Sequence, residues 1–165
     1  MKSFLSILVF GLLTGASNIA QAALSCSLSG VALNFGVYDD SSASTKDVST
    51  TFTVNCCRNP PGSSATLTIA MGPSANSGGI NTRQMKNSAN ADLMSYQLYS
   101  TSFGGAVWGD GVIGGSAWAE AISTNTNCPS MAAFTVSSAI FGRIFAQQPV
   151  SAGNYADTVT ITVTP

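Results

Sequence analysis

Side chains that could do chemistry are few in this sequence, which has four cysteines, seven acidic residues and no histidine. The absence of histidine excludes Ser-His-Asp and Cys-His nucleophilic sites. Two carboxylates can act without histidine in glycoside hydrolysis, but the acids here are scattered, with Asp39 and Asp40 in a turn, Asp110 in a glycine-rich stretch and Glu120 as the sole glutamate. Aspartates in turns usually accept hydrogen bonds from nearby backbone N–H groups, and GDGVIGG lacks the lysine of a phosphate-binding loop. We therefore predict neither an enzymatic activity nor a cofactor site.

The four cysteines, Cys26, Cys56, Cys57 and Cys128, allow three disulfide pairings. In the segment VSTTFTVNCC, adjacent strand residues point to opposite faces, so we expect Cys56 to face the core and Cys57 the outside. This disfavours a bond between the two neighbours. We predict a Cys26–Cys56 disulfide across the core and a Cys57–Cys128 disulfide that ties down a surface loop. A zinc site is the competing interpretation, but histidine and paired C-x-x-C spacing are both lacking, so no metal site is predicted.

The first 22 residues have the pattern of a secretory signal peptide. Lys2 supplies the positive start, residues 4–13 form an apolar run too short to span a membrane, and Ala20-Gln21-Ala22 is a cleavage motif. We therefore expect residues 1–22 to be removed and residues 23–165 to form one soluble, exported domain with no membrane span. Loss of Lys2 leaves five basic against seven acidic side chains, a net charge of −2, which argues against nucleic-acid binding.

The pattern of the mature chain is that of an all-β protein. No stretch has a sustained helical period, and many short alternating segments are separated by turn residues, which indicates an antiparallel sandwich. Strands are predicted at residues 48–57, 65–71, 93–99, 106–108, 118–122, 132–136 and 139–146. The first strand, around Cys26, is expected to be long and kinked because its alternation slips at Ser29-Gly30, as at a β-bulge.

The last strand has the strictest alternation in the chain. Tyr155, Val159, Ile161 and Val163 occupy odd positions, and threonine occupies positions 158, 160, 162 and 164. Such a strand needs a neighbour on each edge or a device that blunts the free edge. No later segment of the sequence supplies one, so the partner of this strand is an open question.

Two pairs of side chains have alternative interpretations. Arg143 and Asp157 both fall within apolar strands, and we predict that they form an ion pair across adjacent strands that fixes the register; the alternative places both at strand ends in water. Trp108 and Trp118 are candidates for a ligand groove or an adhesive surface. The alternative is that one or both belong to the core, since large aromatic residues are mostly buried.

Four motifs occur in order along the chain: LNFGVYDD near the start, TFTVNC in the second strand, LMSYQLY followed by VWGDG in the middle, and FGRIFAQQPVSAGNYADTVTITVTP at the end. Together they resemble the spore coat protein U domain family, whose members include the pilins of archaic chaperone-usher pili. The resemblance covers most of the mature chain, and the terminal block is its most specific part.

The resemblance implies an immunoglobulin-like antiparallel β-sandwich that lacks its final strand. In such pilins a periplasmic chaperone first fills the groove beside the last strand, and the N-terminal extension of the next subunit replaces it in the fibre, a form of β-strand addition. Tyr155, Val159, Ile161 and Val163 would then lie in one wall of the acceptor groove, with the first strand opposite. The implied partners are a periplasmic chaperone, an outer-membrane usher and other pilus subunits, with no small-molecule substrate, and the implied location is the cell surface.

One feature departs from the pattern of a polymerising pilin. Only Ala23, Leu24 and Ser25 lie between the predicted cleavage site and Cys26, whereas a donor strand needs roughly ten residues. We therefore expect the chain to accept a strand and to donate none, as a tip subunit or a terminator would. The alternative is a free-standing secreted coat or binding protein whose sandwich is completed by its own residues, with 101–129 as the candidate stretch.

Overall fold

A computed structural model describes residues 23–29, 31–59, 64–123 and 134–164. Within these ranges the chain forms nine β-strands and no helix. The strands are β1 (Ala23–Leu28), β2 (Lys46–Asn59), β3 (Ser64–Ser74), β4 (Gln84–Asn87), β5 (Leu93–Tyr99), β6 (Trp118–Ser123), β7 (Phe134–Ile144), β8 (Tyr155–Ala156) and β9 (Val159–Thr164). The described part of the chain therefore contains no helix that could cross a membrane.

The strands form two antiparallel sheets, as predicted for a sandwich. One sheet has six strands in the order β1-β2-β7-β5-β4-β8, and the other has three in the order β6-β3-β9. The inward-facing side chains of β2 and β3 alternate with outward-facing ones, as the two-residue period of a strand requires. Those that form the centre of the core are Phe52, Val54, Cys56, Leu67, Ile69 and Met71, each at most 3% exposed. The fold is an immunoglobulin-like sandwich.

The longest pairing in the molecule joins β2 to β7, from Lys46 opposite Ile144 to Cys56 opposite Phe134. The sequence predicted two segments in this part of β7, separated at Ser137-Ser138. The structure instead has one continuous strand, because the backbone ladder continues through the serines, which pair with Thr53 and Phe52. Hydrogen bonds between the main chains of paired strands do not depend on whether the side chains of the paired residues are polar or apolar.

The first and last strands also differ from their predicted forms. β1 ends at Leu28, and residues 31–39 continue as chain that belongs to no strand. The C-terminal strand is divided at Asp157 and Thr158, so that β8 pairs with β4 in the larger sheet while β9 pairs with β3 in the smaller one. One alternating sequence thus contributes to both sheets.

The predicted Cys26–Cys56 disulfide is present, but it joins neighbouring strands of one sheet and does not cross the core. The two residues lie directly opposite each other in the β1–β2 ladder, and Cys56 is fully buried. The expectation that Cys57 lies on the outside is wrong, because its side chain is only 1% exposed; it also takes part in a disulfide. Its predicted partner, Cys128, lies outside the described residues, so the Cys57–Cys128 bond stays a prediction.

The predicted ion pair between Arg143 and Asp157 is wrong. The guanidinium of Arg143 instead binds both carboxylate oxygens of Asp47, at 2.7 Å from Nε and 2.6 Å from Nη2. The two residues are direct neighbours across β2 and β7. The hydrogen bonds from Arg143 hold the pKa of Asp47 below its ordinary value. Asp157 lies at the β8–β9 break and has other partners.

Replacing Cys26 and Cys56 together by alanine should lower the free energy of unfolding. The disulfide closes a loop with a sequence separation of 30, for which restriction of the unfolded chain is worth about 3–4 kcal/mol. Urea unfolding followed by tryptophan fluorescence measures the change, because Trp108 is completely buried in the fold. Ser27→Ala, an exposed change on the same strand, is the control. Equal unfolding midpoints for the double variant and the control would contradict the prediction.

Candidate functional site: an open groove between the sheets

The first wall of the groove is β9. This strand pairs with β3 along one edge, from Thr68 opposite Thr164 to Ser74 opposite Val159. Among the described strands, none pairs with its other edge. The side chains at 159, 161 and 163 are only half-buried, while the threonines at 160, 162 and 164 are exposed. The structure thus leaves a well-formed strand with an unpaired backbone edge and an incompletely covered apolar face.

The second wall is the segment formed by residues 31–38, which follows β1. Val31 and Leu33 are half-buried and Phe35 is buried, whereas Ala32, Asn34 and Gly36 are exposed, and this alternation ends at Val37, which is 88% exposed. No backbone–backbone hydrogen bond joins this segment to the rest of the described chain. It therefore has the alternation of a strand without a strand beside it.

Side-chain packing and anchors at its two ends hold the segment 31–38 in place. Before it, the Cys26–Cys56 disulfide binds the chain to β2. At its other end the Tyr38 hydroxyl donates to the Phe145 carbonyl at 2.9 Å and accepts from the Gln148 N–H at 2.8 Å. The first anchor is a covalent bond to the six-stranded sheet. The second is a pair of hydrogen bonds to the chain that leaves this sheet after β7.

Between these anchors the segment packs against β7, where Gly142 makes the close approach possible. A Cβ atom on Gly142 would lie 2.3 Å from Leu33 Cδ2 and 2.7 Å from Phe35 Cζ. Phe35 also packs edge-on against the Tyr96 ring, with the ring centroids 6.0 Å apart. A residue larger than glycine at position 142 would push the second wall away from the sheet.

Two adjoining cavities lie along the segment 31–38, and only the first of them also borders β9. The first, of about 260 Å³, lies beside β9 and is lined mainly by apolar side chains. The second, of about 620 Å³, lies beside residues 33–40 and the 150–155 loop. Leu33, Phe35, Met85 and Tyr155 line both cavities, which makes them parts of one groove. An apolar groove between two unpaired backbone segments has the geometry of a site for one more strand.

Asp157 fixes the point at which the C-terminal chain passes from one sheet to the other. Its Oδ1 accepts hydrogen bonds from the N–H groups of Ala75 and Thr158, at 3.1 and 2.8 Å, and from Asn76 Nδ2 at 3.0 Å. Its Oδ2 accepts from the Tyr96 hydroxyl at 2.7 Å. The carboxylate that lines the groove therefore accepts four hydrogen bonds from other parts of its own chain.

A buried guanidinium binds backbone carbonyls close to the groove. Arg83 is completely buried, and it donates to the side chain of Gln97 at 2.7 Å and to the carbonyls of Gly72 and Trp108, both at 2.8 Å. Burial lowers the pKa of Arg83 below its ordinary value. The sequence analysis missed this cluster, because Arg83 falls between the strands predicted at 65–71 and 93–99 and its main partners are carbonyls, which have no sequence signature.

The two tryptophans pack together instead of forming an exposed surface. Trp108 is completely buried and donates from Nε1 to the Ile69 carbonyl at 2.9 Å, so of the two interpretations the core position is confirmed for this residue and the surface one is wrong. Trp118 is partly buried and packs edge-on against Trp108, with the ring centroids 6.3 Å apart. Neither of them lines the groove cavities.

Two of the aspartates that were predicted to stabilise turns, Asp39 and Asp110, do so. Asp39 accepts from the Ser41 N–H at 3.0 Å, and Asp110 Oδ1 accepts from the N–H groups of Val112 and Ile113 at 2.9 and 2.8 Å. Hydrogen bonds to these carboxylates lower the pKa of both. No cluster of metal-ligating side chains is found among the residues that the structure describes.

Known proteins resemble this chain in sequence and in fold. The model of the Spore Coat Protein U domain family matches residues 13–162. A comparison with curated proteins finds no match.

Two solved structures share the fold. One is a chaperone–tip adhesion subunit pre-assembly complex from the archaic chaperone-usher Csu pili of Acinetobacter baumannii, with 18% identity, a TM-score of 0.54, and coverage of 86% of this chain and 40% of that chain. The other is a chaperone–tip adhesin complex of CFA/I fimbriae biogenesis, with 16% identity, a TM-score of 0.53, and coverage of 86% and 42%. This chain thus spans about two-fifths of the length of the structures that it matches.

Replacing Tyr96 by phenylalanine should destabilise the fold at neutral pH, since Asp157 Oδ2 would lose the hydroxyl donor that lies 2.7 Å away. We expect a loss of about 1–3 kcal/mol in the free energy of unfolding, as for other buried polar groups that lose a partner. Urea unfolding of the two proteins measures it.

The difference in the free energy of unfolding between the wild type and Tyr96→Phe should also depend on pH. Burial, together with the hydrogen bond to Asp157, raises the pKa of Tyr96 well above its ordinary value. Unfolded Tyr96 ionises near pH 10 while the folded residue stays protonated, so this contribution to stability is present below about pH 10 and declines above it. The advantage of the wild type over Tyr96→Phe should therefore shrink between about pH 9 and about pH 11. Curves that stay parallel over this range would contradict the assignment.

Proposed function

Because the chain belongs to the spore coat protein U domain family, we propose that it is a structural or adhesive subunit of a surface pilus that is assembled by the chaperone-usher route. The observation that carries the proposal is the groove between β9 and residues 31–38, both of which have unpaired backbone beside a shared apolar cavity. A strand from another chain would fill it.

The physical basis of the proposal is β-strand addition. A donor strand beside β9 would form backbone hydrogen bonds with its free edge, and every second donor side chain would enter the cavities. Val159, Ile161 and Val163, now half-buried, would become covered. Burial of apolar surface is worth roughly 25 cal/mol per Å², so the groove offers both backbone and apolar contributions to affinity.

The matched structures support the choice of partners. Both contain a chaperone together with a tip adhesin subunit of the same fold as this chain. We propose that a periplasmic chaperone occupies the groove first and that the N-terminal extension of another subunit replaces it at an outer-membrane usher. The protein would therefore pass through the periplasm and reach its final location on the cell surface.

We propose further that the chain accepts a strand but donates none. Residues 23–28 pair with β2 along their whole length, from Ala23 opposite Asn59, and Cys26 is covalently bound to Cys56. These residues are used inside their own sheet and are not free to complete another subunit. A donor segment would have to precede Ala23, and the predicted cleavage after Ala22 removes that part of the chain. This property supports a tip or terminal position.

The alternative of a free-standing protein with a self-completed sandwich is less well supported. The candidate stretch was 101–129, and among its described residues, 101–123, none lines either cavity of the groove. Trp108 instead packs between the sheets, and the Met71 N–H donates to the Gly109 carbonyl. Residues 124–129 lie outside the described ranges.

A lysine at position 161 should prevent assembly. Expressed alone in the periplasm, the wild-type chain should aggregate or be degraded, and co-expression with its chaperone should make it soluble. Ile161→Lys places a charge in the apolar groove and should reduce chaperone binding by at least about 100-fold, the effect of an unpaired buried charge. Co-purification followed by titration calorimetry gives the affinities.

Thr162→Lys is the matched control, since residue 162 is the exposed neighbour of Ile161 on the same strand. It should keep the affinity of the wild type. A wild-type chain that is a stable monomer without any chaperone would contradict the proposed function, as would equal affinities of the two lysine variants.

Mass spectrometry of the mature N-terminus tests the proposal that the chain accepts a strand but donates none. Cleavage after Ala22 should leave only three residues before Cys26, fewer than the roughly ten that a donor strand requires. Intact mass also serves as the internal control, because it reports the disulfides at the same time. A mature chain that begins well upstream, with about ten residues before Cys26, would contradict this role while leaving the acceptor groove in place.

A further inference from the structure

The three-stranded sheet has two edges, and only one of them borders the groove. β9 forms the edge beside the groove, and β6 forms the opposite edge, with β3 between them. Among the described strands, none pairs with the outer side of β6. Because strand addition depends on backbone groups that every strand possesses, a subunit of the proposed function needs some feature that directs the donor to β9 and excludes it from β6.

Glu120 is placed where such a feature is needed. It lies at the middle of β6, directly opposite Leu67 of β3, and residues that are directly opposite in an antiparallel pair share a face of the sheet. Leu67 is completely buried, so Glu120 occupies a position on the core-facing side. Its neighbours on that face, Trp118 and Ile122, both pack into the core.

Glu120 is nevertheless exposed, unlike Ile122, which is only 1% exposed. The sole glutamate of the chain thus lies on the apolar face of an edge strand, at the rim of the sandwich where its carboxylate reaches water. No cation lies within ion-pair distance of it among the described residues. Inward-pointing charges on edge strands are a known means of preventing edge-to-edge pairing.

We propose that Glu120 blocks strand addition at β6 and so restricts the donor strand to β9. A strand added to β6 would cover the rim and bury the unpaired carboxylate, which is strongly unfavourable. β9 has the sequence VTITVT, without charge, proline or glycine, so an added strand there meets no such obstacle. The inference rests on the proposed function, but self-association through the β6 edge can be measured separately.

The test compares Glu120→Val with the wild type by sedimentation velocity. The valine keeps strand propensity and removes the charge, so the variant should self-associate through β6. We expect a rise of roughly tenfold or more in the association constant, a change of ~1.4 kcal/mol. The measurement uses the complex with the co-expressed chaperone, in which β9 is covered, or the isolated chain if that is itself a stable monomer. Glu120→Thr provides a second neutral variant in case the valine variant does not fold.

Two further variants separate charge from apolarity. Ala121→Val adds the same side chain at the next exposed residue of β6 but keeps Glu120, and Glu120→Lys keeps a charge at position 120. Both should remain at the association level of the wild type. The proposal is overturned if the neutral variants at 120 stay monomeric, or if Ala121→Val associates as strongly as they do. A wild-type chain that is monomeric without a chaperone counts against the proposed function only, because the comparison at position 120 still gives its own result.

Discussion

The hydrogen bonds received by the Asp157 carboxylate are the constraint on which the rest of the site depends. Two backbone N–H groups, one amide and one phenol converge on its two oxygens. They hold the chain where it leaves β8 in the six-stranded sheet and enters β9 in the three-stranded one. A C-terminal segment that continued as a single strand would belong to one sheet only. The division at Asp157 therefore creates the open edge and the cavity beside it together.

The same region is fixed from the core by Arg83. Its guanidinium binds the carbonyl of Gly72, next to the irregularity of β3 between Met71 and Ser74, and also that of Trp108. Ala75 and Asn76, which donate to Asp157, follow this irregularity directly. The charged cluster in the core and the carboxylate in the groove thus hold the two ends of one short piece of chain.

Sequence patterns predicted those features that depend on local alternation. The odd positions of β9 pack against the core, the strand at 93–99 has the predicted bounds, and the preferred Cys26–Cys56 pairing is present. Features that depend on which strands become neighbours were not predictable. Arg143 pairs with Asp47 because the ladder of β2 and β7 brings them opposite each other, and a residue 96 positions away gives no local signal.

The position of Trp108 shows a second limit of prediction from the sequence. An isolated Trp in a glycine-rich stretch is compatible with a surface or a core position. Trp108 is buried because the chain before β6 folds back between the sheets, where its ring packs against Phe52 and Trp118. The path of an irregular loop follows from tertiary packing and not from composition. Arg83 escaped notice for the same reason, since its partners are mostly backbone carbonyls brought together by the fold.

The disulfide at the start of the second wall has a mechanical consequence. If the groove takes up a donor strand as we propose, tension on that strand would pass sideways to β9 and to residues 31–38. The latter lead directly to Cys26, whose bond to Cys56 transfers tension to β2, the strand that is paired with β7 from Lys46 to Cys56. Rupture along this route would require shearing that whole ladder at once and not unzipping one bond at a time. The covalent link thus places the longest strand pairing of the sandwich in series with the groove.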